Sequence, residues 1–90
     1  METALPVYTH SLAYITRQNK TLRTLAAMAQ RVATDYFGAG NADTEVFYEA
    51  PDEIAIRVFC WASDTNEYRF KLKSDVEAEF RNALRHDYAF

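Results

Sequence analysis

Apolar residues follow one rhythm before Gly38-Ala39-Gly40-Asn41 and another after it. Upstream, Leu22, Leu25, Ala26, Ala29, Val32, Ala33, Tyr36 and Phe37 return at steps of three and four, while Arg23, Gln30, Arg31 and Thr34 take other faces. That spacing predicts an amphipathic helix over Lys20 to Phe37. Asn19 is its expected N-cap, and Gly38 its expected left-handed C-cap. The alanines on the inner stripe allow a close approach to whatever the helix covers. Ahead of it, Ser11 to Thr16 alternates around Leu12, Tyr14 and Ile15, which predicts a short strand.

After the glycines the period drops to two. Glu45 to Glu49, Ile54 to Trp61 and Tyr68 to Leu72 are separated by Pro51-Asp52 and by Ser63-Asp64-Thr65-Asn66, and predict three antiparallel strands. Ile54, Ile56, Val58 and Cys60 share one face of the middle strand; Tyr68, Phe70 and Leu72 share one face of the next. For both sets to point inward, the loop between them must hold an odd number of residues, because side chains alternate along a strand.

Ser74 and Glu77 have the spacing of a capping box, and Val76, Phe80, Ala83 and Leu84 form the apolar stripe of a second helix. Tyr88-Ala89-Phe90 has the composition of a further strand. The expected order is therefore β-α-β-β-β-α: an α+β two-layer sandwich, ferredoxin-like, in which two helices cover one face of a mixed, mostly antiparallel sheet. It is read as a single domain over 1–90, with 1–10 as a linker or disordered lead.

Composition narrows the picture. The chain has 90 residues, 49 % hydrophobic and 14 % aromatic, with a net charge of −3. It is too apolar for a disordered chain. A domain this short buries only roughly 60–65 % of its unfolded surface, so partners commonly add stability. A lone cysteine, Cys60, excludes an internal disulfide framework and a four-cysteine zinc site. No stretch is long and apolar enough to span a bilayer, and the start lacks the regions of a signal peptide, so the expected location is cytoplasmic, as a free chain or as part of a larger protein.

Catalytic chemistry finds little support. His10 and His86 lie near opposite ends of the sequence, and Cys60 shares its face with aliphatic residues. His86-Asp87 has no third ligand at metal-binding spacing. The glycines follow a helix, whereas a phosphate loop follows a strand and opens a helix. Asp75, Glu77 and Glu79 fit the favourable end of a helix dipole. The expectation is a non-enzyme with no catalytic, metal or cofactor-binding residues and no cofactor.

The sheet's second face is more telling. Phe59 and Trp61 lie opposite the aliphatic set, with Arg57 beside them and Arg69, Lys71 and Lys73 outward on the next strand. An apolar patch rimmed by charge marks a protein interface. Aromatics two residues apart beside cations also suit RNA stacking. Against RNA stand the negative net charge, the missing glycine between the aromatics and the three consecutive antiparallel strands. Phe47, Arg57, Phe59, Trp61 and Arg69 are the interface candidates. Self-association in a homo-oligomer is expected and nucleic acid is not; the alternative is a stand-alone ferredoxin-like module binding a small molecule or RNA.

The run Glu45-Val46-Phe47-Tyr48-Glu49, a short acidic turn, Ile54 to Trp61, and Tyr68-Arg69-Phe70-Lys71-Leu72-Lys73-Ser74-Asp75-Val76 leading to Phe80 and Ala83-Leu84 resembles the C-terminal cytoplasmic α/β domain of small-conductance mechanosensitive channels. The helix from Lys20 to Phe37 matches that family's long helix in position and pattern. The family continues into a glycine, an aliphatic strand and a proline-aromatic-proline segment where this sequence reads Tyr88-Ala89-Phe90. The resemblance implies a non-catalytic assembly and regulatory module that joins copies of itself in a ring-shaped cytoplasmic vestibule. Contact with a membrane would come only through segments absent from this chain.

Overall fold

A computed structural model describes residues 12–61, 65–72 and 75–88, the side chains from residue 19 onward. The described elements run α1 (Leu12–Phe37), β1 (Ala42–Ala50), β2 (Glu53–Cys60), β3 (Thr65–Lys71) and α2 (Val76–Tyr88). This is an α+β fold built on one antiparallel sheet of order β1-β2-β3.

The expected first strand is not one. Leu12 to Thr16 forms the opening turns of α1, and Asn19 lies inside the helix rather than at its cap. No glycine or proline interrupts Leu12 to Phe37. Once the packed half of a helix is formed, each further residue adds a hydrogen bond without a new nucleation cost, so nothing stops the helix before Leu12. The order among the described residues is thus α-β-β-β-α, and the ferredoxin-like β-α-β-β-β-α order is not observed. Tyr88 likewise ends α2 and does not begin a strand. Ser11, His10, the 1–10 lead, Lys73, Ser74, Ala89 and Phe90 lie outside the described residues.

Gly38 caps α1 as its position predicts. Its φ of 92° is in the left-handed region, and its amide donates to the Thr34 carbonyl at 2.8 Å. Asn41 reaches back to the Phe37 carbonyl at 2.7 Å, satisfying another helix-end acceptor. Asp75 opens α2, its Oδ1 accepting from the Ala78 amide at 3.3 Å.

The register settles the faces. Thr44, Val46 and Tyr48 of β1 lie beside Val58, Ile56 and Ile54 of β2, which pair in turn with Asn66, Tyr68 and Phe70 of β3. All these side chains share one face, and the odd loop parity is met by the pairing of Phe59 with Thr65. Both helices lie on that face. Met28, Ala29, Val32 and Ala33 of α1 and Val76, Phe80 and Leu84 of α2 form one core with Ile54, Ile56, Val58 and Phe70. Phe80, fully buried, meets the rings of Tyr68 and Phe70 edge-on at 5.9 and 6.1 Å. Leu72 departs from expectation: it sits past the end of β3, 38 % exposed, its amide held by the Asp52 carbonyl at 2.7 Å.

Charged residues join the two helices at their outer seam. Glu77 pairs with Arg31 at 2.9 Å and with Arg81 at 3.0 Å, and Arg81 also reaches Asp35 at 3.2 Å. Hydrogen bonds from Arg31 first, and from Arg81 second, hold the Glu77 carboxyl below its ordinary range.

Candidate functional site

The outer face of the sheet, with its five interface candidates, divides sharply when built up strand by strand. Glu45, Arg57 and Glu67 stand side by side across the three strands, as do Phe47, Ala55 and Arg69. Arg57 pairs with Glu45 at 2.9 Å and Glu67 at 3.0 Å, and its guanidinium lies 5.2 Å from the centre of the Phe47 ring. Arg69 pairs with Glu49 at 2.8 Å and Glu67 at 3.0 Å, and Lys71 approaches Glu53 at 3.9 Å. Beneath this ladder Ala55 is fully buried although it faces away from the helices.

Three of the candidates, Phe47, Arg57 and Arg69, are therefore engaged within the chain's own sheet. The other two are not so covered. Phe59 is 41 % exposed, and Trp61, in the turn just past β2, is 84 % exposed. Trp61 is fixed at the backbone, where its amide donates to the Asn41 carbonyl at 2.8 Å. Both line a shallow groove of about 310 Å³ with Gly40, Asn41, Asp43 and Cys60. An indole held this firmly at its backbone and left open to water is the most conspicuous unsatisfied apolar surface of the described chain.

The sheet edges are blunted. The alternation that lets Trp61 bond to Asn41 turns the peptide groups of Ala42 and Thr44 away from β2. Gln30 of α1 covers them: its Nε2 donates to the Ala42 carbonyl at 3.0 Å, while its Oε1 accepts from the Thr44 amide at 3.1 Å and hydroxyl at 3.0 Å. The carboxamide takes the place of a neighbouring strand's peptide. At the other edge, β3 sets Glu67, Arg69 and Lys71 along its outward side, the charged pattern that discourages strand addition. Strand addition is thus disfavoured along β3 and at the Ala42–Thr44 stretch of β1.

At the inner side of that same end lies a half-buried polar cluster. The Tyr88 hydroxyl accepts from Asn66 Nδ2 at 2.7 Å and lies 3.6 Å from Cys60 Sγ, while its ring meets Phe37 edge-on at 4.9 Å. Burial, then the Cys60 thiol beside it, pushes the Tyr88 phenol up to about 12. Burial also raises Tyr68, followed by its bond to Asp87, whose carboxyl is lowered by Tyr68 and then by His86. These groups tie the end of α2 to β2 and β3. His86 itself is solvent-facing, 3.3 Å from Asp87 Oδ1. Among the described residues no group of three or more His, Cys, Asp and Glu side chains converges as a metal site would, and no helix is long and apolar enough to cross a membrane.

Sequence reading missed a second recess. Thr21, Thr24, Leu25, Met28, Leu72 and Val76 line a groove of about 630 Å³ between α1 and the start of α2, rimmed by Arg31, Asp75 and Glu77. The only signal for it was Leu25 and Leu72, assigned to inner faces that the core does not fill. Gln30 was legible only as a polar residue off the helix stripe. Comparison with protein-family models, with curated proteins and with solved structures finds no match to this chain.

Proposed function

We propose that this domain is a non-catalytic assembly module that associates with copies of itself through the Phe59–Trp61 end of its sheet. The observation that carries the reading is the exposure of Trp61, 84 %, beside Phe59 at the end of β2. Aromatic residues of this kind dominate interface energies when a partner covers them. The outer-face cations support it from the other side. Arg57, Arg69 and Lys71 are matched by Glu45, Glu67, Glu49 and Glu53, which cancels the field a phosphate backbone would require.

In the setting implied by the resemblance to small-conductance mechanosensitive channels, such a module forms part of the wall of an oligomeric cytoplasmic vestibule, where the packing of neighbours biases the gate. Light scattering coupled to size exclusion, over a concentration series, tests the assembly reading on the chain and on Trp61→Ala. A concentration-dependent oligomer that Trp61→Ala abolishes supports it. A monomer at every concentration that shifts on adding single-stranded RNA favours the binding-module alternative instead.

A further inference from the structure

One stretch of β1 holds backbone groups that nothing else in the described chain meets. Peptide groups alternate along a strand, and the bond from the Trp61 amide to the Asn41 carbonyl sets the phase. Asp43, Glu45 and Phe47 turn theirs toward β2, while Ala42, Thr44, Val46 and Tyr48 turn theirs to the open side. Gln30 answers the Ala42 carbonyl and the Thr44 amide and goes no further along the strand. The amide and carbonyl of Val46 and of Tyr48 remain, and among the described residues no donor or acceptor meets them. The register shift after Tyr48 closes the open stretch at its other end. What is left fits an added strand of about five residues.

We propose that this edge of β1 takes an extended, basic peptide segment of another protein as a further strand. An unpaired edge is completed by the same groups of another extended chain, and the Gln30 carboxamide already stands in for one such peptide beside it. Charge selects the side chains. On the outer face β1 brings only acids, Asp43, Glu45 and Glu49, to the two sides of Phe47. The arginines that pair with Glu45 and Glu49 stand inboard, on β2 and β3, and Asp43 has no partner among the described residues. A strand laid along β1 therefore meets carboxylates first. Lysine or arginine suits the positions beside Glu45 and Glu49, and an apolar residue the one beside Phe47. A second copy's β1 is the poorer occupant. Paired about Phe47 it would set Glu45 against Glu49, and each copy carries α1 close to the same edge. The site is separate from the Phe59–Trp61 end and does not depend on association there.

Amide exchange followed by NMR tests this on the unmodified chain. The probe is the synthetic peptide acetyl-Thr-Lys-Val-Phe-Val-Lys-Thr-amide, and the control replaces both of its lysines with glutamate. The lysine peptide is expected to slow exchange at Val46 and Tyr48 at least about tenfold, less so at high salt, while the glutamate peptide leaves both unchanged. Val46→Pro deletes an outward donor without touching the bonds to β2, and should abolish the slowing at Tyr48. Glu45→Lys with Glu49→Lys changes only exposed positions and should reverse the preference between the two peptides. This double variant carries the test if circular dichroism shows Val46→Pro to be unfolded. If neither peptide slows these amides, or both slow them equally, the proposal falls. If Val46 and Tyr48 become protected as the concentration of the chain alone is raised, a second copy holds the edge and the basic partner is wrong.

Discussion

The two faces of this sheet are made from the same alternating strands and solve different problems. The inner face carries Ile54, Ile56 and Val58, all fully buried under two helices. The outer face carries Glu45, Arg57, Glu67, Glu49 and Arg69, which cover one another across the strands. The inner face gains its stability from removing apolar surface from water, which is not screened by counterions and scales with area. The outer face gains little from its exposed ion pairs, but it shields Ala55. An aliphatic layer supplies the stability and, with the turns, the register; a charged layer keeps the other face from becoming a second core. What neither layer covers is the Trp61 end, and there the surface turns apolar again.

The contrast can be broken hardest at Phe80. Replacing it with alanine leaves a void among Tyr68, Phe70 and both helices, and should cost about 3–5 kcal/mol in urea unfolding, enough to leave so small a domain largely unfolded. Gln30→Ala probes the boundary between the faces. It strips the carboxamide from Ala42 and Thr44, and should cost about 1–2 kcal/mol, with faster hydrogen exchange at the Thr44 amide. Arg57→Ala attacks the charged layer directly: a loss of no more than about 1 kcal/mol at low salt, shrinking further when ionic strength is raised. If Arg57→Ala proves as damaging as Phe80→Ala, the distinction between the layers is wrong.

Titration sharpens the comparison at its margins. Glu77 releases its proton more readily in the folded chain, so its contribution is full above the unfolded carboxylate value and is lost as pH falls through the lower folded one. Glu77→Gln should flatten the acid limb of a stability–pH curve. Tyr88 behaves in the opposite sense. Its folded value is raised from 10.0 to about 12, so the stabilisation is complete below pH 10 and disappears as pH climbs toward 12. Tyr88→Phe should reduce that alkaline loss, read by the temperature of unfolding at pH 9 and pH 11.5.

How much of this was legible in the sequence depends on the range over which each feature is decided. The period of two in Ile54-Ala55-Ile56-Arg57-Val58 fixed the inner face and the loop parity, because alternation is local geometry. The stripe of Leu25, Ala29, Val32, Ala33, Tyr36 and Phe37 and the Gly38 cap were readable for the same reason, whereas Ala26, counted with that stripe, is exposed. Leu12, Tyr14 and Ile15 were not, since so short a stretch fits a strand and a helix about equally, and only continuity with a stable helix decides between them. The outer ladder was half visible. Arg57 and Arg69 could be assigned to that face, yet their glutamate partners are set by cross-strand register, as is the burial of Ala55. Gln30's grip on β1 and the recess between the helices depend on how the layers are docked, which no spacing within one element encodes.

The sheet's connectivity carries a consequence for how the chain acquires its shape. Each strand pairs with the one that precedes or follows it in the chain, and β1 turns into β2 across only Pro51 and Asp52. Little loop-closure entropy opposes either hairpin, so the strands can zip together in sequence before distant segments meet. What remains is to lay down two helices, one arriving from each end of the meander. Such a chain should fold quickly, with stopped-flow fluorescence of Trp61 a poor reporter of the event because that ring stays outside the chain's own core.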